Sequence, residues 1–249
     1  MRPGQTGIIL AAGRGTRLGP LTDTLPKCLI PVLANKPILS YQLSALGKIN
    51  IEKIIIVVGY RAAQIREHAR SFFPNLPVVF IENKRYLETN TFYSLALAAE
   101  TLPKEQTVLQ MNGDVVFDPK ILEDLMDSGM TESYVAALMG TCQEEEIKIS
   151  LAQDGSVQNL NKKIDPNKAV GEGVGINKFS SLFWKKMQNE LLQNKNLYSQ
   201  DYFERGIEKV IRNGGKILPF NIGRLEAVEV DFPADLQRAR NLSFLRQYQ

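Results

Sequence analysis

The residues best suited to chemistry form a short loop, Leu10-Ala11-Ala12-Gly13-Arg14-Gly15-Thr16, followed by Arg17 and, ten residues after it, by Lys27. Small side chains let backbone amides approach an anion, and the arginines and the lysine add fixed positive charge. A triphosphate needs this combination. The loop lacks the third glycine of the dinucleotide-binding motif and the Gly-Lys-Ser/Thr of a P-loop. An ordinary strand-to-helix turn with solvated arginines is the alternative.

Two carboxylates each follow an apolar run. Asp114 ends the stretch Val108–Gly113, and Asp231 follows Glu229-Val230 before a predicted helix. Glu229 lies two residues before Asp231 and therefore on the same strand face, where it is a candidate neighbour of the site. For Asp114 we predict a metal-ligand carboxylate beside the phosphates, with a helix or turn cap as the alternative.

These stretches carry a resemblance. The pattern L-A-A-G-x-G-[ST]-R-L followed by P-K-x-L-x-P-[VL] resembles the signature of the sugar-1-phosphate nucleotidyltransferase superfamily, and E-V-D-F-P-A-D-L is similar to a later element of it. Members join a nucleoside triphosphate to a phosphorylated metabolite and release pyrophosphate. The resemblance implies Mg²⁺ on Asp114 and Asp231, and catalytic roles on phosphates for Arg17, Lys27 and Lys162. It implies nucleotide contacts for the loop Leu10, Ala11, Ala12, Gly13, Arg14, Gly15 and Thr16, and for Asn83, Asn90 and Asp114.

The segment Asn90-Thr91-Phe92-Tyr93-Ser94-Leu95 resembles the N-x-[FI]-Y-S-L element of phosphocholine-type cytidylyltransferases. Sugar-transferring relatives carry Gly-Leu-Ala or Gly-Thr-Ala there. The resemblance favours CTP as nucleotide and phosphocholine, phosphoethanolamine or an aminoalkylphosphonate as acceptor. A sugar-1-phosphate uridylyl- or thymidylyltransferase is the alternative, and a silent nucleotide-sensing subunit a further one. Asn90 is equally suited to cap the following helix.

The sequence defines the acceptor-binding residues less clearly than the nucleotide-binding ones. In relatives a lysine after an extended strand reaches the acceptor phosphate, and Lys162 occupies that position, although Lys163 next to it leaves the register open. Glu172 either faces the acceptor or pairs with a lysine. An amine would need aromatic faces and a counter-charge, for which the candidates are Trp184, Tyr198, Tyr202, Phe203 and Asp201.

Alternating apolar and helical patterns must position these residues. Such alternation predicts βαβ units and an α/β fold: one Rossmann-like domain with a mostly parallel twisted sheet flanked by helices. In such sheets ligands bind beyond the carboxyl ends of the strands, so the loop and Asp114 are expected at one edge. Shorter strands within 133–178 predict a small mixed β insertion over that edge. The predicted closing helix is Pro233 to Tyr248, which begins with proline in its first turn.

Composition limits the function classes. The chain has 249 residues, a formal net charge of +3 and no long basic run, which argues against nucleic acid as a partner. Two cysteines, no leader-like segment and no long apolar run predict a cytoplasmic location without membrane insertion. We expect one nucleotidyltransferase domain, 1–249, in which 1–130 bind the nucleotide and 131–249 bind the acceptor and complete the metal site.

Overall fold

The computed structural model describes residues 4–33, 35–129 and 131–248. In these ranges the strands are β1 (Gly4–Ala11), β2 (Pro31–Leu33), β3 (Lys36–Pro37), β4 (Lys53–Val58), β5 (Val78–Glu82), β6 (Gln106–Asn112), β7 (Val115–Phe117), β8 (Tyr134–Met139), β9 (Lys148–Leu151), β10 (Val157–Asn161), β11 (Gly171–Phe179), β12 (Leu218–Asn221) and β13 (Ala227–Glu229). The helices are α1 (Ile38–Leu46), α2 (Ala62–Phe72), α3 (Thr91–Ala99), α4 (Lys120–Asp127), α5 (Ser181–Asn194), α6 (Glu204–Arg212) and α7 (Pro233–Arg240). Short 3-10 segments lie at Thr16–Thr22, Lys27–Leu29, Pro166–Lys168 and Ser243–Tyr248.

The main sheet has the order β10-β9-β11-β6-β1-β4-β5, with β8 pairing β11 and β12 pairing β8. Its strands β6, β1, β4 and β5 are mutually parallel, and β11 runs antiparallel to β6. The predicted α/β fold, with a mostly parallel sheet flanked by helices, is confirmed. The expected shorter strands after residue 133 are β8 to β11, which extend the same sheet.

Helices cover both faces of the sheet because its central strands are apolar throughout. Strands β1, β4 and β6 are buried along almost their whole length, as is typical of parallel strands between two helical layers. One core includes Phe92 from α3 and Trp184 from α5. The opposite core includes Leu39 from α1 and Ile121 from α4. None of the described helices combines the length and the apolar character needed to cross a bilayer.

The chain end differs from its prediction. One closing helix from Pro233 to Tyr248 is wrong, because α7 ends at Arg240 and a 3-10 segment begins at Ser243. Between them the chain turns, so that the Ser243 backbone N–H and hydroxyl donate to the Glu226 carboxylate at 2.7 and 2.6 Å. Helix α4 was not predicted, although its apolar residues recur at helical spacing.

The sheet brings the two chemical segments to one edge. The backbone N–H of Gly113, after β6, donates to the carbonyl of Leu10 in β1 at 2.9 Å. In the parallel register, Leu10 lies opposite Asn112. The glycine loop and Asp114 therefore emerge side by side from neighbouring strands, as predicted.

Candidate active site

The loop after β1 packs against the side chain of Lys27. Gly15 has a left-handed backbone (φ 71°), and a Cβ there would lie 3.0 Å from the Lys27 stem. The Gly15 carbonyl accepts hydrogen bonds from the Leu18 N–H and the Thr22 hydroxyl, both at 3.1 Å. A side chain at position 15 would strain the backbone and displace the lysine.

The two acids predicted from separate motifs meet at the same lysine. The ammonium of Lys27 donates to Asp114 Oδ2 at 2.7 Å and to Asp231 Oδ1 at 2.5 Å. The guanidinium of Arg17 lies 2.7 Å from the other oxygen of Asp231. Residues 17, 27, 114 and 231, far apart in sequence, thus form one charge cluster.

Burial and charge act in opposite directions on this cluster. Burial by itself would lower the pKa of Lys27, but Asp114 and Asp231 more than compensate and the pKa is raised. Burial would likewise raise the pKa of Asp231, yet Lys27 and Arg17 bring it below its ordinary value. These shifts keep the Lys27 ammonium and the Asp231 carboxylate charged at neutral pH.

A hydrogen-bonded turn holds Asp114 in place, but one of its carboxylate oxygens has no hydrogen-bond partner. The buried Gln42 side chain of α1 donates to the carbonyls of Asn112 and Val115 at 2.7 and 3.0 Å, which holds the turn carrying Asp114. The Oδ1 atom of Asp114 is buried and has no hydrogen-bond partner. In the described ranges no three His, Cys, Asp or Glu residues are grouped as a ready metal site. Any ion at Asp114 would need phosphate or water oxygens as further ligands.

A third acid, Glu229, lies behind the pair. Its Oε1 accepts a hydrogen bond from the Asn112 amide at 2.9 Å. Burial, reinforced by the charge of Asp114, raises the pKa of Glu229 to about 7. Gly175 in β11 has a φ of 70°, and a Cβ there would collide with this carboxylate. The absence of a side chain at Gly175 therefore leaves room for the Glu229 carboxylate.

The cluster opens into a cleft of about 300 Å³, a size that suits a small-molecule ligand. Its walls include most of the residues predicted from sequence, namely Leu10, Ala11, Gly13, Gly15, Thr16, Arg17, Lys27, Asn90, Asp114, Lys162 and Asp231. The predicted nucleotide and acceptor sides therefore face one space.

Other predicted nucleotide contacts lie beside the cleft. Ala12 and Asn83 line a smaller cavity of about 60 Å³ that shares Leu10, Gly13 and Asn90 with the main one. The amide of Asn83 already donates to Thr89 and Ser94 at 3.0 and 3.1 Å. Asn90 caps α3 through its own side chain, which accepts from the Thr91 N–H at 2.8 Å, so both interpretations of Asn90 fit its position. Arg14 is exposed and lies 3.5 Å from Asp23.

Lys162 rather than Lys163 reaches the cleft. The Lys162 side chain is 31% exposed and lies 3.7 Å from Glu145 and 5.4 Å from the Tyr202 ring centre, whereas Lys163 is exposed. The preceding strand is fixed by Glu208 of α6. Its Oε1 accepts from the Leu160 N–H at 3.2 Å and from the Asn161 amide at 2.5 Å.

The predicted aromatic site for an amine requires correction. Trp184 has no exposed surface: it packs on Phe179 and donates its indole N–H to the Pro103 carbonyl, so its prediction as an acceptor contact is wrong. Tyr198 lies outside the cleft lining, with Arg205 and Lys209 over its ring at 5.0 and 5.5 Å. A ring already flanked by two cations is a poor site for a third.

The two predicted acceptor carboxylates also lie outside the cleft lining. Asp201 is 3.8 Å from the guanidinium of Arg205. Glu172 faces Glu146, and burial together with this neighbour raises the pKa of Glu172 to about 8. Tyr202 and Phe203, the remaining aromatic candidates, do line the cleft.

Comparison with known proteins shows the family of this chain. Residues 7–168, more than half of the chain, match the MobA-like NTP transferase domain. The chain belongs to this family. The matched range contains the glycine loop, Lys27, Asp114 and Lys162 but stops before Asp231 and α6.

Several relatives extend the similarity beyond that range. The chain is 28% identical over 248 residues to the CMP-5'-(3-aminopropyl)phosphonate synthase of Streptomyces rubellomurinus, covering 93% of this chain and 38% of that protein. It is 40% identical over 101 residues to the choline-phosphate cytidylyltransferase of Streptococcus pneumoniae, covering 41% of this chain and 42% of that protein. The chain thus spans less than half the length of these curated relatives.

A solved structure shows the same fold. The CTP:phosphocholine cytidylyltransferase from Streptococcus pneumoniae superposes with a TM-score of 0.79 at 25% identity, covering 95% of this chain and 98% of that one. The resemblance found in the motifs is therefore confirmed at the level of family and fold.

Among the residues that line or support the cleft and were not predicted are Gln42, Glu204 and Glu208. Gln42 has a signal in the sequence, since a buried amide in an otherwise apolar helix must find partners. Glu204 and Glu208 lie one turn apart on the same face of α6, and both are buried. Acids at that spacing on the apolar face of an amphipathic helix indicate that both are buried, whereas their place beside the cleft depends on how α6 packs.

Proposed function

We propose that this protein transfers the nucleotidyl group of a nucleoside triphosphate, with CTP preferred, to a small acceptor carrying a phosphate or phosphonate, and releases pyrophosphate. The observation that carries the proposal is the cluster of Arg17, Lys27, Asp114 and Asp231 at the edge of a cleft that also contains Lys162. Such a cluster of cations and acids suits a reaction between two polyanions.

The choice of CTP and of an amine-bearing acceptor rests on relatives. The names of the two curated proteins and of the solved structure specify cytidylyl or CMP transfer to phosphocholine or to an aminoalkylphosphonate. The Asn90–Leu95 element, which distinguishes this branch from sugar-transferring relatives, supports the same choice.

In the proposed reaction an anionic oxygen of the acceptor attacks the α-phosphorus. A new P–O bond forms, the bond from the α-phosphorus to the oxygen bridging to the β-phosphorus breaks, and pyrophosphate leaves with that electron pair. No proton needs to be removed from the nucleophile. Amides of the glycine loop and Arg17 would bind the β- and γ-phosphates, Lys27 the α-phosphate, and Lys162 the acceptor phosphate. This division assigns the nucleotide to 1–130 and the acceptor to 131–249.

The residues present suit Mg²⁺. Two carboxylates, Asp114 and Asp231, are the usual protein contribution to such a site, and the unpartnered Oδ1 of Asp114 is an open ligand position. When bound, Mg²⁺ would supply positive charge that reduces repulsion between the α-phosphate and the acceptor. Arg17 and Lys27 supply such charge from the chain itself.

The test is pyrophosphate release in the presence of Mg²⁺. CTP, UTP, dTTP, ATP and GTP are each combined with phosphocholine, phosphoethanolamine, 2-aminoethylphosphonate and a set of sugar-1-phosphates. We expect turnover with CTP and an amine-bearing acceptor. Turnover restricted to sugar-1-phosphates would support the alternative transferase, and nucleotide binding without any turnover would support a sensing subunit.

Two variants control this assay. Asp231→Asn removes one carboxylate of the cluster and should reduce turnover by about 10²–10³-fold, in the range found for a lost charge-stabilising group. Asp154→Asn removes a carboxylate that pairs with Lys216 outside the cleft, and should leave turnover unchanged. Equal rates in both variants would contradict the assignment of the site.

A further inference from the structure

Glu204, the first residue of α6, presents a buried acid to the cleft. Its side chain lines the cleft and also a small cavity behind it, which Glu229 and Asn177 line as well. The residue is only 6% exposed, and its Oε2 is buried without a hydrogen-bond partner. A carboxylate oxygen in such a position lacks the donor that buried acids normally have.

The charges around Glu204 do not satisfy it. Burial raises the pKa of Glu204 to about 8, although a hydrogen bond from its own backbone opposes this shift; the charge of Glu229 adds to it, and that of Lys162 opposes it. Arg17 and Lys27 are already bonded to Asp114 and Asp231. The cleft thus contains an acid that the cations of the charge cluster do not pair with and that is largely protonated at neutral pH. A positively charged ligand group beside it would favour its ionised form.

The neighbours of Glu204 limit what that group is. Tyr202 lines the cleft and is 45% exposed, but Phe203 is 1% exposed and Trp184 is fully buried. A quaternary ammonium has no N–H and is bound mainly by several aromatic faces. A primary ammonium donates hydrogen bonds, which is what the unpartnered Oε2 lacks.

We propose that Glu204 binds the primary ammonium group of the acceptor, so that the preferred acceptor is a short zwitterion with a phosphate or phosphonate at one end and –NH₃⁺ at the other. This inference rests on the proposed function. The Lys162 ammonium lies 5.4 Å from the Tyr202 ring centre and influences Glu204 electrostatically. Lysine, ring and acid therefore occupy one neighbourhood, as a short zwitterion requires.

The experiment compares acceptors that differ only in the charged end. Phosphoethanolamine is paired with propyl phosphate, and 2-aminoethylphosphonate with propylphosphonate, since each pair exchanges –NH₃⁺ for a methyl group. Phosphocholine is the third probe. In the wild type we expect kcat/KM for at least one ammonium compound to exceed that of its methyl partner by about tenfold or more, and to exceed that of phosphocholine.

Glu204→Gln keeps the shape but removes the ability of the side chain to ionise when an ammonium group binds. It should reduce the ammonium preference by about tenfold, because the KM for the ammonium compound rises more than the KM for its methyl partner. Glu190→Gln, which removes a carboxylate that bonds Asn194 and Asn213 outside the cleft, is the matched control and should retain the full preference. If Glu204→Gln fails to fold, Glu204→Asp retains the charge and should retain part of the preference.

Several outcomes would overturn the inference. An unchanged preference in folded Glu204→Gln would reduce Glu204 to a structural acid. A wild-type enzyme that favours phosphocholine, or that ignores the exchange of –NH₃⁺ for methyl, would refute recognition of a primary ammonium while leaving nucleotidyl transfer intact. Absence of pyrophosphate release with every acceptor would instead refute the proposed function and this inference together.

Discussion

Replacing Glu208 by leucine should damage the acceptor side of the cleft from a distance. Glu208 does not line the cleft, but its Oε1 accepts two hydrogen bonds at the end of β10, from the Leu160 N–H and from the Asn161 amide. Lys162 follows immediately. In Glu208→Leu both donors lose their acceptor, and the Leu160 N–H is buried.

The magnitude follows from these two bonds. A buried donor left without a partner costs about 1–3 kcal/mol, and the half-buried Asn161 amide costs less, so the free energy of unfolding should fall by about 2–4 kcal/mol. Glu208→Gln keeps an amide oxygen for both donors, and should lower it by less than about 1 kcal/mol. The other carboxylate oxygen is 3.6 Å from Arg212, which is 58% exposed and loses little.

Urea denaturation measures the change in the free energy of unfolding. Steady-state kinetics measure whether Lys162 is still positioned to bind the acceptor. If Glu208 orients Lys162, Glu208→Leu should raise the KM for the acceptor by about tenfold and leave the KM for the nucleotide unchanged. Adding Glu208→Leu to Lys162→Met should then have little further effect on the acceptor KM, because both act on one interaction.

Two results would refute this reasoning. A Glu208→Gln variant as impaired as Glu208→Leu would mean that the charge, and not the accepted hydrogen bonds, matters. A folded Glu208→Leu variant with a raised KM for the nucleotide alone would separate Glu208 from the acceptor lysine.

Three further changes test other parts of the site. Lys27→Met should lower kcat by about 10²–10³-fold because it removes the cation between two carboxylates, and a folded variant with normal pyrophosphate release would exclude that role. Gly175→Ala should lower the melting temperature, because φ is 70° and the new methyl group meets Glu229, at a cost of about 1–2 kcal/mol for the backbone alone; an unchanged melting curve would contradict this. Burial and Glu146 raise the pKa of Glu172 to about 8, above its usual 4.5, so the folded state binds this proton more tightly. Stability should therefore fall as pH rises from 4.5 to about 8, less steeply in Glu172→Gln; equal slopes in urea titrations would argue against it.

The parts of the site that follow strands could be predicted from sequence. The glycine loop and Asp114 both follow apolar runs, and parallel pairing brings the ends of such strands to one edge. That Asp114 and Asp231 share Lys27 could not be derived from spacing, because the two acids are brought together by the pairing of β7 with β13, two short strands far apart in sequence.

The residues on the acceptor side were harder to predict, because residue type alone did not reveal which face of a helix points inward. Phe183, Trp184, Met187 and Leu191 recur at helical spacing and are all buried, so the pattern itself indicates a core position for Trp184. Glu204 lies on the buried face of α6, and whether it borders a cleft depends on how that helix packs against β10. Such packing is not encoded in any local pattern.

The bonds of Lys27 have a consequence for the order in which ligands assemble. In the free protein its ammonium already satisfies one oxygen of each carboxylate, so a divalent ion arriving alone would compete with a resident cation for the same acids. A nucleotide changes this balance, since its phosphates offer the lysine new partners and bring ligand oxygens for the ion. Free metal should thus bind weakly and the metal–nucleotide complex tightly. Lys27 would pair with the two acids in the free protein and with the nucleotide phosphates in the bound one.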